Sequence, residues 1–290
     1  MSLRLLVLDA YDEPGRRAVL DIGATPGGEL YRRLLLHLRP DARVELALFG
    51  AAGFALPAGA ALSDYDGLVF TGSNMTIHQD TAAVREQIAL VQRALDAGLD
   101  CFGSCWAAQL AVTADGGRCE RNPRGREFGV SRGIALNERG RAHPLFEGRP
   151  PVFDALTSHE DHIVQLGAHT EGLAGNEFSP VQAVSIQRGR GVFWAVQYHP
   201  EFNLWDLAQL ARLRGAQLIA QGFFNGDPPE RALADYIADL EELENDPGRE
   251  DLARRLGIPT KNLLDVDDRA TEVENWLRHR LEERAPVTPA

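Results

Sequence analysis

Short apolar runs alternate with stretches of helical periodicity through the first hundred residues. Leu3 to Asp9, Val44 to Phe49, Gly67 to Thr71 and Asp100 to Gly103 read as buried strands. Between them, Gly28 to Leu38 and Thr81 to Ala97 space their apolar residues as helices do, and Gly98 ends the second. Strand–helix–strand alternation of this kind builds a mostly parallel central sheet flanked by helices, an α/β fold. From about Gly116 to Ser158 the chain is richer in Gly, Pro and Arg and reads as shorter strands and loops. Val181 to Arg188 and Val192 to Tyr198 form a further strand pair, turning around Gly189 to Gly191. After Phe202 the pattern becomes helical: Asn203 to Phe224, Pro228 to Glu244, Asp251 to Leu256 and Asp267 to Arg284. The tail, 285–290, has the composition of a disordered end. Residues 1–227 are expected to form one domain and 228–290 a helical C-terminal extension.

Composition narrows the class. With 290 residues, 44% of them hydrophobic, the chain can bury one sizeable core. A formal net charge of −12 argues against nucleic acid, whose phosphates such a surface repels on average. The N-terminal apolar run is broken at Asp9, so it reads as a strand rather than a secretory leader, and no stretch reaches membrane-spanning length. Three cysteines, Cys101, Cys105 and Cys119, cannot all pair, and a chain this long needs no disulfide staples; a reducing cytoplasm fits.

The chemistry centres on DCFGSCWAAQLA. A buried strand ends in a Gly-containing turn at Cys105, and a helix begins with Ala107 through Ala111. Such a turn lifts the side chain clear of the sheet, and the helix N-terminus behind it stabilises a thiolate. The N–H of Trp106 then points at a developing oxyanion. Cys101 and Cys119 read as inert small hydrophobes. A second segment, VFWAVQYHPEF, runs as a strand into His199, Pro200 and Glu201. Pro200 holds His199 extended, and residues two apart in an extended chain project to one side. Glu201 therefore reaches the imidazole of His199 and orients it as a base for Cys105.

GSCWAAQ and QYHPE together resemble the class I glutamine amidotransferase family, in which a Gly-x-Cys-x-Gly-x-Gln elbow pairs with a later His-Pro-Glu. YDGLVFTGSN resembles that family's strand ending in an oxyanion loop, and SHEDHIV the Ser-His-Gly-Asp stretch of its GMP-synthase-like branch. The resemblance covers roughly residues 1 to 225. It implies a flavodoxin-like sheet and hydrolysis of L-glutamine to glutamate and ammonia through a γ-glutamyl thioester on Cys105. His199 protonates the ammonia, Glu201 orients His199, and Gly72, Ser73 and Trp106 supply oxyanion N–H groups. Gln109 and Ser158 are implied in the substrate pocket. The ammonia would pass to an acceptor enzyme on another chain. The alternative is a hydrolase or transferase acting on another γ-glutamyl compound with the same triad; a binding module that kept the fold is disfavoured by the intact triad.

Two positions depart from the family pattern. Ala107 stands at the elbow's second Gly, where its methyl is expected to reshape the substrate pocket. Ser73 replaces the oxyanion loop's second Gly, which bears on loop conformation more than on the backbone donor. His159, Glu160, Asp161 and His162 read as loop residues beside the pocket rather than metal ligands, and Gly27 and Gly28 lack the context of a phosphate cradle, so neither metal nor cofactor is expected. The stripe Leu233, Tyr236, Ile237 and Leu240 is either core or a docking surface for a partner or a second copy.

Overall fold

The computed structural model describes residues 2–258 and 263–283; Arg284 and the tail at 285–290 lie outside the described residues. Strands β1 (Arg4–Asp9), β2 (Arg43–Gly50), β4 (Gly67–Phe70), β5 (Asp100–Ser104) and β12 (Gly191–Val196) make the parallel part of one ten-stranded sheet, in the order β2-β1-β4-β5-β12. Antiparallel strands complete it: β3 (Gly53–Ala55) beyond β2, and β11 (Ala183–Arg188), β10 (Thr170–Gly175), β7 (Glu127–Leu136) and β8 (Val152–His159) in turn beyond β12. A separate ribbon pairs β6 (Arg118–Arg121) with β9 (Asp161–Gln165). The helices are α1 (Glu13–Asp21), α2 (Gly27–Leu38), α3 (Ala82–Asp96), α4 (Trp106–Ala114) and α5 (Glu138–Ala142), then α6 (Leu204–Leu213), α7 (Gly215–Ala220), α8 (Pro229–Asn245), α9 (Glu250–Leu256), α10 (Val266–Arg269) and α11 (Thr271–Trp276).

The central parallel strands β1, β4, β5 and β12 are buried along nearly their whole length because both faces are covered, while β2, nearer the edge, is only partly buried. Leu6, Leu8, Leu68 and Phe70 pack under α3 and α4, while Leu5, Val7, Val69 and Phe102 face α2 and α11. A third cluster joins α6, α8 and α9: Leu204, Leu207 and Ala211 meet Ile237, Leu240, Leu243 and Leu252. The stripe on α8 thus faces α6. The C-terminal segment runs back beneath the sheet. Trp276 is fully buried 5.9 Å from the Phe102 ring, Arg280 pairs with Asp100 at 2.7 Å, and Arg149 pairs with Glu272 at 2.8 Å. Tyr198 donates to that same Glu272 at 2.8 Å. None of the described helices is long and apolar enough to cross a membrane.

Four elements differ from the sequence expectation. The single helix expected from Asn203 to Phe224 is broken at Arg214, whose ψ is 9°, and resumes at Gly215. Gly215 sits against α8, where a β-carbon would come 2.7 Å from Leu233. The last helix is divided at Ala270 and passes into π-helical turns over Leu277–Glu282. Helix α1, absent from the sequence expectation, buries only Val19 and is started by its cap, with the Asp12 carboxylate accepting from Gly15 N–H at 2.7 Å. The Gly- and Arg-rich middle holds the long hairpin β7–β8, in which glycines sit at positive φ and a bulge between Ser131 and Ile134 absorbs the irregularity.

Candidate active site

Cys105 follows β5 directly and caps α4, with φ 54° and ψ −105°, a conformation that costs a non-glycine residue roughly 1–3 kcal/mol. Its N–H is held by the Val196 carbonyl at 2.8 Å, tying the turn to the end of β12. Gly103 has no room for a side chain, since a β-carbon would strike Ala107 and lie 2.8 Å from the Phe70 carbonyl. Ala107 is fully buried against this strand and lines neither cleft beside Cys105. Its methyl therefore fills the strand–helix contact rather than either cleft. The Trp106 indole donates to Gln87 at 2.9 Å, and Gln87 donates to Ala10 O at 3.2 Å, which fixes the start of α4.

The adjacent strand β12 delivers the base. Val196 lies opposite Ser104, and His199 follows three residues later, its N–H bonded to Leu156 O at 2.8 Å. His199 Nδ1 meets Glu201 Oε1 at 2.6 Å, both groups being buried. Taking Nδ1–H leaves Nε2 for Cys105. Ser104 Oγ donates to the same carboxylate oxygen at 3.0 Å, and the Phe202 ring lies parallel to the imidazole with centroids 3.9 Å apart. Burial pulls the His199 pKa down, but the negative charges of Glu201 and Cys105 more than offset it and raise it to about 10. Sequence reasoning missed Ser104 and Phe202, although both adjoin the motifs that flagged the triad.

The Gly72–Ser73 loop closes over this pair. A β-carbon on Gly72 would lie 3.1 Å from His199 Cε1, so only glycine leaves the imidazole room there. Neither Gly72 N–H nor Ser73 N–H donates to another described residue. Ser73 spends its hydroxyl on Ala10 O at 2.9 Å and accepts from Met75 N–H at 3.2 Å, so the residue that departs from Gly stitches the loop to β1. Cys105 Sγ sits 3.7 Å from the Ser158 carbonyl oxygen; the Ser158 hydroxyl is buried without a partner among the described residues. Gln109 places its amide nitrogen on Asp161 O at 3.1 Å and Gln197 Oε1 at 3.2 Å. Next to them, His159 bonds Glu127 at 2.7 Å, Glu160 pairs with Arg126 at 2.9 Å and Asp161 with His78 at 3.3 Å.

Two clefts of opposite character meet at Cys105. One, of about 470 Å3, is polar, with Asn74, Trp106, Gln109, Arg126, Ser158 and Asp161 among its walls. The other, of about 650 Å3, is walled largely by Val19, Ile22, Leu30, Phe202, Leu210 and Leu213, and His199 faces this one alone. Asp206 lies in its wall. Burial is the main reason its pKa rises to about 6, against the Asn203 N–H it accepts. Arg214, at the break between α6 and α7, lines both clefts. Neither the apolar cleft nor Arg214 was signalled by the sequence, because their residues come from α1, α2 and the α6–α7 corner.

Comparison with known proteins gives concordant results. Residues 43–209 match the model of the family described as "Glutamine amidotransferase class-I". A "Gamma-glutamyl-L-1-hydroxyisopropylamide hydrolase" of Pseudomonas sp is 31% identical over 295 residues, covering 96% of this chain and 93% of that one. "Gamma-glutamyl peptidase 4" of Arabidopsis thaliana is 25% identical over 211 residues, 69% and 82% of the two chains. A "GMP synthase [glutamine-hydrolyzing]" of Thermomicrobium roseum is 32% identical over 135 residues, only 23% of its own length. The fold is shared with a crystal structure of a glutamine amidotransferase from Thermotoga maritima, at a TM-score of 0.64 and 13% identity over 97% of this chain and 99% of that one.

Proposed function

The chain belongs to the class I glutamine amidotransferase family, and on that premise we propose that it hydrolyses the C–N bond of γ-glutamyl amides through a thioester on Cys105, with N-alkyl amides preferred over glutamine. The observation that carries this reading is the position of His199. Of the two clefts that meet at Cys105, His199, the group that protonates the departing nitrogen, lines the apolar one and not the polar one, so the amine leaves into the apolar cleft and the glutamyl group occupies the polar one. Ammonia needs no hydrophobic wall; an alkylamine gains about 0.8 kcal/mol for each methylene it buries there. The Pseudomonas relative named for a γ-glutamyl alkylamide, aligned over nearly the whole of both chains, supports the same substrate class.

In this mechanism Cys105 Sγ attacks the amide carbon, and the carbonyl oxygen becomes an anion held by the N–H groups of Trp106 and of the Gly72–Ser73 loop. The C–N bond then breaks as His199 Nε2 gives its proton to the amine, leaving the γ-glutamyl thioester. Water enters, loses a proton to His199 and attacks the thioester carbon; the C–S bond breaks and glutamate is released. Glu201 holds the Nδ1–H tautomer throughout and stabilises the imidazolium. Gln109 acts by fixing the start of β9 at Asp161, and Ser158 borders the acyl site.

The test compares glutamate release from γ-L-glutamylisopropylamide and from L-glutamine, with Cys105→Ala alongside. Three buried carbons correspond to about 2.4 kcal/mol, so kcat/KM for the isopropylamide should exceed that for glutamine by about 50-fold. Glutamine turned over as well as the isopropylamide would instead favour ammonia delivery to an acceptor enzyme on another chain. Equal turnover by Cys105→Ala would remove the thioester mechanism.

A further inference from the structure

Resting on the γ-glutamyl reading above, we propose that Arg214 is the residue that selects the substrate's α-carboxylate. The polar cleft is built for an amino-acid head group, which brings one positive and one negative charge. Its carboxylates are Glu160 and Asp161, and its guanidiniums are Arg126 and Arg214. Arg126 is committed: its side chain is buried, and it donates to Glu160 at 2.9 Å and to Gln221 at 3.3 Å. Glu160 is likewise occupied, taking Arg121 as well. Arg214 is different. It is half-buried at the α6–α7 corner, and no carboxylate among the described residues lies within ion-pair distance of it. Its interaction with the Tyr11 side chain engages a neutral group and leaves the charge uncompensated.

Placement and charge then fix the ligand group. A guanidinium kept partly out of water beside a reactive thiol, with no internal anion, is an anion site whose partner arrives with the substrate. Asp161, which lines the same cleft and pairs with the half-exposed His78 at 3.3 Å, supplies the negative counterpart for an α-ammonium. The apolar cleft that Arg214 also touches already contains Glu201 and Asp206, so a carboxylate on the leaving amine would meet two acids there. On the polar side Glu160 is taken up by Arg121 and Arg126, and Arg214 has no carboxylate partner among the described residues, which leaves it to the incoming α-carboxylate. The helix breaks at Arg214 and resumes at Gly215, which lies close against Leu233, and from this corner the Arg214 side chain lines both clefts.

The experiment uses two chromogenic amides with one leaving group: γ-L-glutamyl-p-nitroanilide, and 4-aminobutanoyl-p-nitroanilide, which lacks only the α-carboxylate. Wild-type protein should favour the first by about 10- to 100-fold in kcat/KM, the value of a charge-assisted hydrogen bond. Arg214→Gln should lose that factor on the first substrate, mainly through KM, and lose nothing on the second; Arg214→Lys should keep part of it. Iodoacetamide alkylation of Cys105 should run at the same rate in all three proteins. Equal wild-type rates on the two anilides would overturn the assignment without any variant needing to fold. So would an Arg214→Gln loss that is the same on both substrates, which marks a structural role. No wild-type cleavage of the glutamyl anilide, with Cys105 still alkylated, would instead overturn the γ-glutamyl reading on which the assignment rests.

Discussion

Replacing Glu201 by glutamine keeps the size and one hydrogen-bond acceptor of the side chain but removes a buried negative charge 2.6 Å from His199 Nδ1. With charge centres roughly 4 Å apart and an effective dielectric of about 20, the pair interaction is about 4 kcal/mol, or about three pKa units. The sign follows from what the charge does. Glu201 holds the proton on His199 and, with Cys105, outweighs the burial that pulls the pKa down, giving about 10. Without Glu201 the proton leaves at lower pH, and burial then pulls the group toward or below the ordinary histidine range. The assay is the pH dependence of kcat/KM on γ-L-glutamyl-p-nitroanilide. In wild-type protein the alkaline limb, where the imidazolium that protonates the amine is lost, should fall near pH 10. In Glu201→Gln it should move down by about three units, and activity at pH 8 should drop by about 10-fold. A variant whose alkaline limb stays at the wild-type pH, whatever its rate, would refute the electrostatic role and leave Glu201 as a positioning group only.

Other consequences can be measured directly. Burial, the largest influence on each, raises the thiol pKa of Cys101 well above the usual range and that of Cys119 to about 12, so native protein at pH 8 should take up one equivalent of iodoacetamide. Intact mass should show that equivalent gone in Cys105→Ala and retained in Cys101→Ala and Cys119→Ala. Asp206 has a raised pKa in the folded protein, about 6, so its contribution to stability is complete below pH 4 and is lost as pH rises through 6. The melting temperature of Asp206→Asn relative to wild type should therefore climb between pH 4 and 7; a flat difference would contradict the burial of that carboxyl. Trp276→Ala removes a fully buried ring beside Phe102 and should cost about 3–5 kcal/mol in urea unfolding. Gly67→Ala, whose methyl would come 2.8 Å from the same ring, should cost about 1–3 kcal/mol through overpacking.

The sequence alone determined the parallel part of the sheet and the reacting pair, and the reason is local. The runs at Leu3 to Asp9, Gly67 to Thr71 and Asp100 to Gly103 are strands covered on both faces, so their composition records their burial regardless of what covers them. Cys105 and His199 stand where a strand ends and Gly or Pro enforces the turn, and Glu201 reaches its partner across two residues. The clefts are another matter. Val19 and Ile22, near α1, and Leu210 and Leu213, on α6, are unremarkable positions on amphipathic helices, and they become one apolar wall only when the sheet brings α1 and α6 to the same edge of Cys105. The place of Ala107 was hidden for the same reason: spacing puts a methyl next to the nucleophile, and the fold packs it against Gly103. Arg214 is one arginine among many in the sequence. Only tertiary structure breaks the helix at that residue, pairs the neighbouring Arg126 with Glu160, and leaves Arg214 as a charge without an internal partner, because pairing depends on which groups the fold brings within a few ångströms of one another.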